Sequence, residues 1–215
     1  MKDKEFVLRS ISSVFIILAT VLFIYIQNIF VTFSILLIVS LFMAYEWNTI
    51  TINAENKKFL GIVGIGYIFF NLMPILLLKE LENGNNLLMW LFLLVWSEDT
   101  FAYIVGAKLK LNKHKITKIS PKKSYEGLFG GMIAACGICY LFANYFLPDL
   151  KVTLLFFTPM LCILEQCSDI TESYFKRKFN VKDSGDWIPG HGGFLDRFDG
   201  FLYTTIMLIC LIVFA

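Results

Sequence analysis

The stretch IPGHGGFLDRFDGFLYTTIMLICLIVFA, Ile188 to Ala215, decides the fold. Its first thirteen residues hold four glycines, a proline, a histidine, an arginine and two aspartates. Its last fifteen hold no charged residue. A soluble domain does not need so abrupt a change. A chain that enters a bilayer does, because the hydrocarbon layer rejects loops and charges while the mouth of a helix bundle collects them. The last apolar run is therefore read as a transmembrane helix, with a functional loop at its entrance.

The rest of the chain agrees. Of its 215 residues 57% are hydrophobic and 17% charged, against about 25% charged in soluble domains, and the mean hydropathy is +0.69. Seven apolar runs, at about 10–27, 30–46, 59–78, 87–106, 127–147, 152–171 and 199–215, approach the roughly 20 residues that cross a bilayer as a helix. The second and the last are the shortest. No alternating strand pattern suggests a barrel. The first run follows MKDKEFVLRS as in a secretory signal, but it is long, lacks a small-x-small cleavage site, and is followed at once by another run. It is read as an uncleaved span. The expectation is an all-α, polytopic integral membrane helix bundle of about seven transmembrane helices, forming one domain over residues 1–215.

Charge sets the orientation. With the N-terminus in the cytoplasm, 17 of the 19 Lys and Arg residues fall in cytoplasmic segments, and Lys79 and Lys151 alone fall outside. Such an asymmetry follows the positive-inside rule. It makes the two longest loops, about 107–126 and 172–198, cytoplasmic. A net charge of +2 with no basic arm excludes nucleic acid as a partner. The five cysteines lie in or beside apolar runs, and CxxC at Cys136 and Cys139 has no second pair or nearby histidine. They read as packing residues, not as a disulfide framework or a zinc site.

Carboxylates stand where a membrane makes them expensive. Asp99 lies inside MWLFLLVWSEDTFAYIVG with Glu98 beside it. Glu165, Asp169 and Glu172, at i, i+4 and i+7, share one face at the inner end of the sixth run. Asp196 and Asp199 open the seventh. Three spans thus bring acids to one membrane depth, where they repel unless a cation lies among them. With no His/Cys cluster, an oxygen-seeking ion such as Mg2+ is the natural candidate; solvation, or pairing with Arg177 and Arg197, is the plainer reading. On the basic side, Pro121 in SPKKS sets a turn, and Ser120, Lys122, Lys123 and Ser124 offer groups for phosphate at the start of the next helix. Clustered lysines also serve orientation and attraction to anionic lipid. Gly127, Gly131 and Ala135, four apart, have the spacing of close helix packing, and the glycines of GIVGIG (Gly61 to Gly66) read the same way.

The segment SYFKRKFNVKDSGDWIPGHGGFLDRFD, Ser173 to Asp199, resembles the signature of the phosphatidate cytidylyltransferases. That pattern is S-x-[apolar]-K-R-x4-K-D-x-[small]-x2-[apolar]-P-x-H-G-G-[apolar]-x-D-R-[apolar]-D, and all its fixed positions are met. DTFAYIVG and ISPKKSYEG resemble two further blocks of the family, in the same order. One departure is Ser168, where family members commonly carry glycine before the aspartate that matches Asp169.

The resemblance implies the reaction CTP + phosphatidate → CDP-diacylglycerol + pyrophosphate, with Mg2+, alone or with a second cation. It implies Asp169 and Asp196 as metal ligands, with Asp199 and His191 beside them as catalytic residues. Asp99, Ser120, Lys122, Lys123, Lys176, Arg177, Lys182, Asp183 and Arg197 are the implied substrate-binding set. The partners would be CTP, phosphatidate and membrane lipid, and the small-residue helix faces suit a homodimer. The setting would be a bacterial inner membrane with the site facing the cytoplasm. The alternatives are a CTP-dependent polyprenol or phytol kinase, an ether-lipid cytidylyltransferase, and a membrane transporter. The outer half of the chain carries almost no acids, which speaks against a through-path.

Overall fold

The computed structural model describes residues 2–109 and 114–214, so Lys110 and Lys113, counted above among the loop lysines, lie outside it. Its α-helices are α1 (Lys2–Tyr25), α2 (Ile29–Thr51), α3 (Lys57–Glu80), α4 (Gly84–Tyr103), α5 (Tyr125–Phe146), α6 (Lys151–Lys178) and α7 (Leu195–Phe214), and α4 continues as a π-helical turn, Ile104–Lys108. Among the described residues there is no strand, only two isolated bridges. Each apolar run of the sequence lies on one of these helices.

Five segments are long and apolar enough to cross a membrane: α2, α3, α4 with its π turn, α5 and α6. The second run, short as read from the sequence, is a helix of 23 residues. The extra length lies mostly at its end, which runs on to Thr51, while Asn28 caps its start, Oδ1 accepting from Phe30 N at 2.9 Å and Val31 N at 3.2 Å. Leu22, Phe30, Ile62, Ile133 and Phe156, on five different helices, point outward. A soluble protein would bury residues of this size and number; an outer surface of this kind suits hydrocarbon. The chain is an integral membrane helix bundle.

Helix α4 is the axis of the bundle. It touches α1, α3, α5, α6 and α7, and Leu87, Leu88, Trp90, Leu91 and Leu94 are fully buried. Its closest neighbour is α5, whose Gly127, Gly131 and Ala135 form the contact face. A Cβ on Gly131 would stand 2.6 Å from the Glu98 carbonyl oxygen, and one on Gly127 3.0 Å from that of Ala102. The spacing read from the sequence does bring two backbones together. It does so within the chain, so this face offers no surface to a second copy. In α3, Gly64 makes room for the Trp47 indole, whose Nε1 donates to Leu60 O at 2.8 Å. Cys139 and Cys162 are buried, Cys136 and Cys210 half-buried and Cys167 exposed, all as free thiols.

The helices alternate in direction, so the described starts of α3, α5 and α7 and the ends of α2, α4 and α6 share one end of the bundle. Contacts fix this: Ser13 of α1 meets His191, Glu46 of α2 meets Leu195, and Lys123 before α5 meets Asp169 of α6. At the other end Lys79 Nζ donates to Ile24 O at 2.7 Å and Asn86 reaches Phe146 O.

Candidate active site

Three helices bring carboxylates together at the end where α4 and α6 finish and α7 begins. One ligand oxygen from each of Asp169, Glu172 and Asp199 lies within 4.8 Å of the others, and Glu98, Asp99 and Glu165 form a second such group. The i, i+4, i+7 spacing on α6 is what lets one helix serve both. Glu98 and Glu165 are buried, and the amide of Gln166 bridges them, Nε2 donating to Glu98 Oε2 at 2.8 Å and Glu165 Oε2 at 3.1 Å. Asp99 is exposed.

Two lysines enter this acidic field. Lys123 pairs with Asp169, whose other oxygen accepts from Ser173 Oγ at 3.2 Å. Burial alone would lower the Lys123 ammonium, but Asp169, Glu165 and Asp99 around it outweigh that and hold it above its ordinary value. Lys176 pairs with Glu172 and, at 2.5 Å, with Asp196, so one ammonium joins the end of α6 to the start of α7. Lys123 arrives on a turn: its N–H donates to Ser120 O at 3.0 Å. The hairpin-like clamp Ile116 N to Lys123 O (3.1 Å) and Tyr125 N to His114 O (2.9 Å) holds that turn. Ser124, read from the sequence as a phosphate group donor, caps α5 by accepting from Gly127 N at 3.1 Å. Ser120 is half-buried and Lys122 exposed.

The two aspartates at the start of α7 differ. Asp199 joins Asp169 and Glu172, and its Oδ1 accepts from Gly200 N at 2.8 Å. Asp196 is not in either carboxylate group. Its Oδ1 takes Lys176, and its Oδ2 accepts from Ser184 N at 2.8 Å and Gly193 N at 2.9 Å. It ties the loop to the helix and reaches Glu172 through Lys176. Ser168, the departure from glycine, is buried and donates to the Asp199 carbonyl. The hydroxyl that glycine lacks thus links α6 to α7 beside the cluster.

The PGHGG turn folds back on itself, Ile188 N donating to Gly192 O and His191 N to Ile188 O, both at 2.9 Å. Gly190 and Gly192 have φ of 75° and 81°, values a side chain resists. His191 Nε2 lies 3.1 Å from Ser13 Oγ, and Arg197 Nε donates to His191 O at 3.0 Å. Arg177 donates to Val181 O at 2.9 Å, holding the end of α6. Lys182 and Asp183 are exposed on the loop that follows.

The residue that sequence reasoning missed is Glu46 of α2. It is 1% exposed. Its Oε1 accepts from Phe194 N at 2.9 Å, and its Oε2 from Leu195 N at 2.8 Å and Ser184 Oγ at 2.9 Å. A buried carboxylate therefore sits on the N-terminus of α7, where the helix dipole favours it. A Cβ on Gly185 or Gly193 would collide with it, which gives these two glycines a structural reason. A lone acid in the apolar run of α2 was the available signal.

Residues 4–215 match the family described as the cytidylyltransferase family. The chain is 35% identical over 223 residues to the phosphatidate cytidylyltransferase of Rickettsia prowazekii (strain Madrid E), covering 99% of this chain and 95% of that protein. It is 36% identical over 214 residues to the protein of the same name from Rickettsia typhi (strain ATCC VR-144 / Wilmington), covering 95% and 91%. To that of Staphylococcus haemolyticus (strain JCSC1435) it is 40% identical over 155 residues, 70% of this chain and 55% of that one. The signature segment, the helical architecture and a family match along nearly the whole chain agree: the protein belongs to the cytidylyltransferase family and is a nucleotidyltransferase.

Proposed function

We propose that the protein is a phosphatidate cytidylyltransferase, joining the phosphate of phosphatidate to the α-phosphorus of CTP to give CDP-diacylglycerol and pyrophosphate. Similarity along nearly the full chain to proteins named phosphatidate cytidylyltransferase carries the reading. The whole chain would act as one domain, in keeping with a family match over residues 4–215. One P–O bond forms between a lipid phosphate oxygen and the α-phosphorus. The α–β anhydride bond breaks, its electron pair leaving on pyrophosphate. A phosphate monoester has a second pKa of about 6, so its dianion attacks without a general base. What the protein must supply is charge neutralisation and alignment of two polyanions.

Mg2+ is the proposed cofactor, and the residues present fit it. Asp169, Glu172 and Asp199 are hard oxygen donors gathered within one coordination sphere's reach, and Glu172 Oε1 is buried with no hydrogen-bond partner among the described residues. These three would hold the ion. Asp196, the second ligand implied by the resemblance, would contribute through Oδ1, the oxygen it shares with Lys176. Glu98, Asp99 and Glu165 form the donor set for the proposed second cation. Bound there, a cation neutralises triphosphate charge and stabilises the departing pyrophosphate.

The lysines do the remaining work. Lys123 and Lys176, now paired with carboxylates, are the proposed contacts to phosphate oxygens, with Ser120, Lys122, Arg177, Lys182, Asp183 and Arg197 around the mouth and His191 hydrogen-bonding a phosphate or orienting Asp196. We also propose that this end faces the cytoplasm of a bacterial inner membrane, with a cytoplasmic N-terminus, because 17 of 19 basic residues then obey the positive-inside rule and CTP is a cytosolic substrate.

The test supplies purified protein with phosphatidate, Mg2+ and CTP labelled at either the α- or the γ-phosphate. Label reaches the lipid only from the α-position if the reading holds. Transfer only from the γ-position, to a polyprenol or other lipid alcohol, would make the protein a kinase. No transfer to any lipid, with ion flux in liposomes, would make it a transporter.

A further inference from the structure

A cavity of about 480 Å3 lies between α1, α2, α4 and the signature loop, a volume in the range that holds a sizeable ligand. Its walls are almost wholly apolar, with Phe15 and Ala19 from α1, Leu36 and Val39 from α2, Phe92 from α4 and Phe198 from α7. One end is polar, where Arg197, Ser12 and Pro189 line it.

Helix α1 is pinned on both sides of this cavity. At the loop end Ser12 Oγ donates to Pro189 O at 3.0 Å and Ser13 Oγ meets His191 Nε2 at 3.1 Å. At the far end Lys79 Nζ donates to Phe23 O at 3.3 Å and Ile24 O at 2.7 Å. The space between the pins is bridged, not closed. The fold thus keeps an apolar groove open along α1, beginning at an arginine two residues from Asp199.

Resting on the reaction proposed above, we infer that this groove holds one acyl chain of the lipid substrate, with the lipid phosphate turned toward Arg197. Charge complementarity selects the occupant. A neutral or zwitterionic lipid gains little from the guanidinium, whereas an anionic phosphate monoester with a hydrocarbon tail satisfies both ends of the groove. Ile188, Pro189 and Phe194 of the signature segment also line the groove, so a tail seated there lies against the loop that leads into Asp196 and Asp199. The groove then sets chain-length preference, and α1 acts as its outer wall.

The experiment has two arms. In the first, long-chain phosphatidate carrying a photoactivatable group near the tail end is irradiated with the full-length protein in detergent. Label is expected on the α1 and α2 peptides that line the groove, with unlabelled dipalmitoyl phosphatidate competing at least tenfold better than phosphatidylcholine of the same chains. Equal competition by the two lipids, or label elsewhere, overturns the inference. In the second arm Ala19→Trp, with Thr20→Trp beside it, narrows the groove. The ratio of kcat/KM for dipalmitoyl over dihexanoyl phosphatidate should fall about tenfold, the effect of denying burial to roughly two methylene groups. An unchanged ratio counts against the groove. Cytidylyl transfer by the wild type, measured alongside, separates the two readings. Transfer with unselective labelling overturns the groove alone, and no transfer to any phosphatidate overturns the reaction and with it the identity of the occupant.

Discussion

Replacing Glu46 with alanine tests whether a carboxylate remote in sequence builds the catalytic loop. Its two oxygens accept from Phe194 N, Leu195 N and Ser184 Oγ, and its side chain is shut off from solvent. The serine hydroxyl can turn to another acceptor; the two backbone N–H groups cannot. Each buried donor left unsatisfied costs about 1–3 kcal/mol, and the lost charge at the N-terminus of α7 adds up to about 2 kcal/mol. Water entering the space beside Gly185 and Gly193 offsets part of this, and relief of a buried charge offsets more. The net is about 3 kcal/mol against the native loop, or about a hundredfold in kcat/KM for cytidylyl transfer. Glu46→Gln keeps one carbonyl acceptor but turns an NH2 toward a backbone N–H, so it should lose about tenfold. Limited trypsin digestion reads the loop independently, since Lys182 and Arg197 flank it. Both side chains are already exposed, so the readout is backbone order: Glu46→Ala should loosen the loop and speed cleavage at those sites. If that variant retains activity within a few-fold of wild type and resists trypsin as wild type does, the carboxylate does not organise the loop.

Asp199→Asn should lower kcat about a hundredfold or more and raise the Mg2+ needed for half-maximal rate. Asp196→Asn should lower kcat while shifting that requirement less, because Asp196 is bound mainly to Lys176 and the loop; paired Mg2+ titrations of the rate distinguish them. Gly131→Ala should destabilise the protein by about 1–3 kcal/mol, since its Cβ meets the Glu98 backbone. Gly137→Ala, with open space around the new methyl, should be neutral or stabilising by up to about 1 kcal/mol, and thermal unfolding in detergent reads both signs. Lys123 has its folded pKa raised, so its charge and the ion pair it makes persist below its ordinary value and are lost only as pH rises through the raised one. Lys123→Gln should therefore reduce kcat/KM by the same factor at pH 6.5 and pH 9, and a loss confined to one of them would contradict the charge assignment.

The helices were legible because hydrocarbon demands long apolar runs, whereas the caps that fix their ends, Asn28 on α2 and Ser124 on α5, emerged only from the fold. The gathering of acids was legible too: helical spacing put Glu165, Asp169 and Glu172 on one face, and the alternation of spans put them beside Asp99 and Asp199. Partner choice was less legible. The sequence favoured Asp196 beside Asp169 through the resemblance, whereas the fold gathers Asp199 with Asp169 and gives Asp196 to Lys176 and the loop amides. That distinction depends on the turn of α7 about its axis, which two aspartates three residues apart do not reveal. Glu46 was hidden for a related reason: burial of an acid in α2 can be guessed, but its contact with Leu195, 149 positions away, is a product of packing. Ser168, a departure from the family's glycine when read from the sequence, turns out to be a link between two helices.

The most direct test of the central claim is Mn2+ binding, followed by electron paramagnetic resonance in the presence of CTP, on wild type, Asp169→Asn and Asp199→Asn. A bound-Mn2+ signal is expected in wild type, with at least tenfold weaker binding in both variants and all three proteins folded. Wild-type affinity in both variants would contradict it, because the cation that accompanies the nucleotide would then sit away from the α6–α7 carboxylates.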